Sequence, residues 1–282
     1  MIGQPVIRPL SLDEVRELLS WAKAEGWNPG IDDAVALQAA DPDGFIGCFV
    51  EDRMAAGISA VCYGENYGFI GLYIAHADFR GQGLGRKIWD AGMAHLGDRV
   101  IGLDGVPEQQ GNYARMGFVP AYQTARWSGI VPPRAGKSRE GKAVAFDEGL
   151  LPAVISYDRQ FFPAPRNAFL RSWLSGPRSV TIIDDHGSVA GYSVCRACDD
   201  GFKIGPLFAD TLENAKELLS ACAAAADGDV LHIDVPADQT EFADFLAEIG
   251  FARGFSTARM YRGTVPVLRS EGVYGITTLE LG

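Results

Sequence analysis

Three glycines at alternate positions, Gly81, Gly83 and Gly85, stand between an apolar run that suits a strand, Phe69 to Ile74, and a helical repeat of Leu84, Ile88, Trp89 and Met93. That junction limits what the chain can become. Glycines lack a Cβ and let a ligand approach the backbone closely. The helix that follows opens with unpaired N–H groups and the positive end of its macrodipole. Arg80-Gly81-Gln82-Gly83-Leu84-Gly85 is therefore a ready-made anion site, with a ligand-free strand-to-helix turn as the plain alternative. A dinucleotide loop fits less well, because G-x-G-x-x-G needs its third glycine one residue later.

A second segment, Asn112-Tyr113-Ala114-Arg115-Met116-Gly117-Phe118, follows in the same half. Read with Arg80-x-x-Gly83-x-Gly85, it makes the sequence resemble the GNAT superfamily of acyl-CoA-dependent N-acyltransferases. The glycine loop looks like that family's R/Q-x-x-G-x-G/A pyrophosphate loop, and the later segment like its tyrosine-x-x-x-Gly-Phe element. The resemblance covers roughly residues 5 to 128. Glu25-Gly26-Trp27-Asn28-Pro29-Gly30 and Leu103-Asp104-Gly105-Val106 are similar to a bacterial branch with a second, degenerate GNAT-like half. The fold class implied is α/β (α+β), with two tandem GNAT-like domains, each a mixed, mainly antiparallel twisted sheet flanked by helices.

Length agrees with two modest domains, since 282 residues is about twice a typical one. Hydrophobic residues at 47% and charged ones at 22% describe a globular chain rather than a disordered one. No apolar run reaches the ~18 residues of a membrane span. Met1-Ile2-Gly3-Gln4 does not open a signal peptide, so a cytoplasmic protein without membrane association is expected. A formal net charge of −11 argues against nucleic acid as a partner and is compatible with a cationic small substrate. The five cysteines form one close pair, Cys195-Arg-Ala-Cys198, without the second pair or histidines of a zinc site. Reduced structural thiols and no metal are expected. The sequence leaves room for a homodimer.

Along the chain, Val6 to Pro9 reads as a strand, and Ser11 with Glu14 as a capping box opening a helix. Phe45 to Val50 and Ala56 to Cys62 form a hairpin around Glu51-Asp52-Arg53-Met54. Phe69 to Ile74, the helix from Leu84, a strand from Val100 to Leu103, a helix from Gln109 to Met116 and a last strand through Trp127 complete the first half. The expected organisation is a catalytic domain over 1–128, a Gly/Pro/Lys/Arg-rich linker over 129–143 and a degenerate domain over 144–282 that completes the acceptor pocket. An internal repeat supports it: Gly57 matches Gly191 at an offset of 134, and Gly117-Phe118 matches Gly250-Phe251 at 133. Moved by that offset, the glycine loop lands on Glu213-Asn214-Ala215-Lys216-Glu217-Leu218, and Tyr113 lands on Leu246. The second copy has lost the anion site and the hydroxyl.

The resemblance also distributes roles. Backbone N–H groups of Arg80, Gly81, Gln82, Gly83, Leu84 and Gly85 would hold the pyrophosphate of acetyl-CoA, the co-substrate, with Arg86 and Lys87 adding positive charge. Tyr73, Ile74 and Ala75 would pair with the pantetheine arm, the N–H of Ile74 or Ala75 facing the thioester carbonyl. Asn112 would bond the pantetheine amides. Tyr113 stands where the family's general acid sits, protonated at neutral pH with an ordinary pKa near ~10; a tyrosine packed beside Phe118 is the plain reading. An alkylamine acceptor is neutral only about once in ~2500 molecules at pH 7, a cost of roughly 4.6 kcal/mol. Asp104 is the first candidate for the base that removes its proton, and Glu25 the second. Glu25, Trp27 and Asp33 are placed near the amine. His76 titrates near neutrality but reads as a loop histidine.

The chain is thus expected to be an acetyltransferase that moves the acetyl group directly to the amine of a small molecule. The competing expectation is a non-catalytic acyl-CoA-binding sensor, because fold does not settle function.

Overall fold

A computed structural model describes residues 4–131 and 142–282. The first half runs β1 (Val6–Pro9), α1 (Leu12–Ala24), α2 (Asp33–Ala40), β2 (Phe45–Val50), β3 (Arg53–Tyr63), β4 (Tyr67–Ala75), α3 (Leu84–Leu96), β5 (Val100–Gly105), α4 (Pro107–Arg115) and β6 (Val119–Gly129). The second runs β7 (Ala143–Ala145), α5 (Leu151–Asp158), α6 (Asn167–Trp173), β8 (Arg178–Asp185), β9 (Ser188–Ala197), β10 (Phe202–Ala209), α7 (Leu212–Ala226), β11 (Leu231–Pro236), α8 (Thr240–Glu248), β12 (Ala252–Arg262) and β13 (Val273–Gly275). No helix among the described residues is long and apolar enough to cross a membrane.

Local chemistry accounts for the elements. Ser11 caps α1 through Glu14 N–H while the Glu14 carboxylate accepts from Ser11 N–H, so two otherwise unpaired donors are satisfied. Arg8 grips the same carboxylate at 2.8 Å through Nη1, and its hydrogen bond drives the Glu14 pKa down to about 2. Glu51 and Asp52 both adopt positive φ, which matches the twist of the β2–β3 hairpin.

The two halves share one sheet, in the order β1-β2-β3-β4-β5-β12-β6-β11-β10-β9-β8-β7. Each half gives its last long strand to the other. β12 pairs with β5 (Arg259 opposite Asp104), β6 pairs with β11 (Arg126 opposite Asp234), and the two exchanged strands pair with each other. The expected linker therefore begins and ends inside the sheet, with Gly129 closing β6 and Ala143 opening β7; its residues 132–141 lie outside the described residues. On one face a single core joins α1 and α2 to α5 and α6 across the halves. On the other, α3 and the pair α7–α8 cover two separate cores.

In each half one parallel pair parts. β4 and β5 stay in register from Tyr67–Val100 to Ile70–Leu103, then diverge; β10 and β11 part after Ile204–Ile233. In the second half the gap is filled from within: β13 pairs with β10, and Ile276 N–H donates to the Asp234 carbonyl at 3.0 Å. The chain then runs on, buried, to the first gap, where Ser59 Oγ donates to the Glu280 carbonyl and Tyr63 to that of Leu281, each at 3.2 Å. A Cβ on Gly71 would collide with the Glu280 carbonyl, and one on Gly205 with that of Thr277. Two equivalent glycines thus admit successive parts of one tail.

Arg166 and Asp158 hold this tail from below. Both are buried, the guanidinium also donating to Thr277 Oγ1 at 2.9 Å and stacking 4.1 Å over Phe162. Asp158→Ala should leave that charge unpaired and lower stability by about 3–5 kcal/mol, read as a drop in the urea unfolding midpoint; an unchanged midpoint would refute the account.

Candidate active site

The parting of β4 from β5 opens a cleft of 690 Å³. Its β4 wall is irregular: Leu72 takes φ +46°, and the register with β3 slips between Gly71 and Ile74. Such a bulge re-aims backbone groups that would otherwise pair. His76 N–H points back to the Ala55 carbonyl, so strand alternation turns the N–H of Ile74 toward β3 and that of Ala75 toward the cleft. The Ala75 carbonyl, on that same side, accepts from Arg80 Nε at 3.0 Å.

At the mouth, Gly81 and Gly83 adopt φ +77° and +76°, and Gly83 is the N-cap of α3. Among the described residues the N–H groups of residues 81–85 have no hydrogen-bond partner, which is the arrangement of an anion nest at a helix N-terminus. Gly85 is required for a second reason: its bare Cα lets the Tyr73 hydroxyl pass 3.1 Å from where a Cβ would sit. In the second half α7 begins at Leu212, capped by Thr211, and runs through the positions where this loop would be.

Tyr73 and Tyr113 line the cleft, and the buried Trp89 joins them in an aromatic row with centroids 5.3 and 5.7 Å apart. Tyr113 also meets Phe118, at 6.3 Å. Burial first, and then the neighbouring Tyr73, push the Tyr113 pKa up to about 12, and its hydroxyl makes no hydrogen bond among the described residues. It therefore keeps its proton at neutral pH, and the residue lines the cleft.

Several sequence candidates stand elsewhere. Asp104 borders the cleft, but both its oxygens are taken by Arg259, at 2.8 and 2.9 Å. Against the desolvation that burial imposes, the Asp104 charge holds that guanidinium well above its ordinary value. Asp104 thus anchors the exchanged strand, with each of its oxygens engaged by Arg259. Glu25 lies at the cleft and is paired with Arg80, so it locks the loop after α1 to the glycine turn. Asp33 is not at the cleft: it is buried and bonded to Gly30 N–H, Arg178 and Arg196, pinning α2 to the second half. Asn112 faces Gln109 and Arg115 rather than the cleft, which Gln109 lines instead, and Arg86 is exposed and paired with Asp90. His76 Nδ1 accepts from Asp78 N–H at 3.3 Å, capping a turn. His95 pairs with Asp41 at 2.8 Å beside Cys62.

Trp27 does line the cleft, its carbonyl fixed by Arg126 and by Lys203 from the second half. The residues that sequence reasoning missed are also from that half: Phe255 and Thr257 on β12, and Leu279 and Glu280 on the tail. They reach the cleft only through strand exchange, which leaves no local mark in the sequence.

Comparison with known proteins agrees with this geometry. The Acetyltransferase (GNAT) family pattern matches residues 12–118, and an Acetyltransferase (GNAT) domain pattern matches residues 154–275. The chain is 33% identical to a Pseudoalteromonas protein named holothin acyltransferase, over 98% of this chain and 94% of that one. Among solved structures, a Pyrococcus horikoshii chain provisionally termed an acetyltransferase superposes with a TM-score of 0.83 at 19% identity, over 100% of this chain and 97% of that one. A tandem GNAT protein from the clavulanic acid biosynthesis pathway gives 0.58 at 14% identity, over 93% and 100%.

The anchoring role of Asp104 is open to measurement. Asp104→Asn should destabilise the chain by about 3–5 kcal/mol, by stranding the Arg259 charge; a fully stable variant that has lost turnover would mark Asp104 as chemical instead.

Proposed function

The chain belongs to the GNAT acyltransferase family, as a tandem member, and we propose that it transfers an acetyl group from acetyl-CoA to the amine of a small molecule by direct attack, with Tyr113 as general acid. The observation that carries this reading is the Tyr113 hydroxyl, protonated, without a partner and stacked through Trp89 onto the same wall as Tyr73.

The unpaired N–H groups after Arg80 suit the pyrophosphate, and the parted edge of β4 suits the pantetheine amides, which would add to it like a strand. The Ala75 N–H, turned toward the cleft, is the donor best aligned for the thioester oxyanion. The amine nitrogen attacks the thioester carbon, the tetrahedral adduct collapses, and the C–S bond breaks. Tyr113 then gives its proton to the departing sulfur. A thiolate released into this apolar surrounding has its own pKa raised by desolvation, which narrows the gap to a phenol at about 12. Direct transfer is supported by the thiols: burial raises Cys48 and pushes Cys62 up to about 11, so neither is a ready nucleophile. The filled gap of the second half supports a single site per chain. The relative named for holothin supports a small-molecule acceptor.

Thiol release from acetyl-CoA across a panel of amines tests the reading, and binding without release would favour a sensor. Tyr113→Phe should lower kcat by about 10²–10⁴-fold, with coenzyme A affinity within about twofold of the parent. Because the tyrosine loses its proton only near pH 12, kcat should show no tyrosine-dependent decline below about pH 10; a fall of kcat near neutrality that disappears in the phenylalanine variant would contradict the assignment.

A further inference from the structure

Resting on that reading, we propose that Glu280, carried by the tail of the second half, is the base that takes the proton of the acceptor amine. Four carboxylates border the cleft. Glu25 is held by Arg80 and Asp104 by Arg259, while Glu108 is exposed on the first turn of α4. Glu280 alone is both buried, at 4% exposure, and without a hydrogen bond to its carboxylate among the described residues. A buried acid left in that state calls for a partner that arrives from outside.

Its position is fixed by backbone. The tail meets β4 at Gly71, one residue beyond the last β4–β5 pair, so Glu280 stands at the apex of the gap. A pantetheine arm added along β4 from the glycine turn would direct its acyl end toward that apex. The amine must therefore approach between this arm and the surfaces that carry Trp27, Phe255, Thr257 and Glu280.

Around Glu280 stands a cluster of buried cations. Lys203 on β10, Arg196 on β9 and Arg126 on β6 all feel the Glu280 charge. Arg126 is committed to Asp234, and Lys203 to the Trp27 carbonyl. Both terminal nitrogens of Arg196 are buried without hydrogen-bond partners among the described residues, as are the hydroxyls of Thr257 and Thr124.

The proton count closes. An alkylammonium loses one proton to Glu280, and its freed lone pair forms the N–C bond. The nitrogen loses its second proton after attack, and Tyr113 supplies one to the sulfur as the C–S bond breaks. Of the two protons lost, one regenerates Tyr113 and the other passes from Glu280 to solvent, giving amide and thiol.

Glu280→Gln keeps the shape and removes the base. With acetyl-CoA and a series of amines at one pH, kcat/KM should fall about 10²–10⁴-fold for alkylamines and much less for aryl amines that are already neutral. Coenzyme A affinity and melting temperature should stay near the parent's. Glu280→Asp, which retains a carboxylate, should recover part of the loss. An equal loss for every amine, or no loss, would overturn the proposal while leaving the acetyltransferase reading intact. If Glu280→Gln does not fold, Glu280→Asp decides by the same contrast between alkyl and aryl amines. A parent protein that binds coenzyme A but acylates no amine would overturn both.

Discussion

Everything functional in this molecule depends on a pairing that stops. Parallel strands β4 and β5 hold register for four residue pairs and then separate, because Leu72 in a left-handed conformation bends β4 and the tail presses its carbonyl against Gly71. Parallel pairs are normally buried on both faces and continuous. An interrupted one leaves backbone donors and acceptors without partners, and such groups are costly unless something binds them. The cleft is therefore a defect in the sheet that a ligand with its own amide groups can repair. Where the same defect recurs between β10 and β11, the chain repairs it with its own β13.

The second half is retained for what it lends. Strand exchange places β12 against β5 and β6 against β11, so neither half completes its sheet alone. Three buried charge groups cross the boundary: Arg126 with Asp234, Arg259 with Asp104, and Asp33 with Arg178 and Arg196. Buried ion pairs add little net stability over apolar packing, yet a mismatched partner strands a charge at high cost. They therefore fix the register in which the halves meet. That register in turn sets Phe255, Thr257 and Glu280 at the cleft.

Much of the architecture was readable in the residues. The capping box at Ser11, the hairpin at Glu51, the helix from Leu84 and the repeat through Gly57 and Gly191 follow from short-range rules of caps, turns and periodicity, and each stands in the structure. The loss of the glycine loop and of the tyrosine in the second copy could also be read directly, from Glu213 to Leu218 and from Leu246. The surroundings of the acids were the least legible part of the sequence. Asp33, Asp104 and Glu25 look alike in sequence as carboxylates near loops, and what separates them is a guanidinium contributed from far along the chain or across the cleft.

The sequence by itself thus determined the elements, the tandem repeat, the glycine turn before α3 and the tyrosine on α4, because these follow from rules of caps, turns and periodicity that act along the chain. Only the tertiary structure decided which carboxylates are free, which backbone edge is open and which half walls the cleft. Those depend on long-range strand exchange and on where a buried charge finds its counter-charge, and neither is written in any local run of residues.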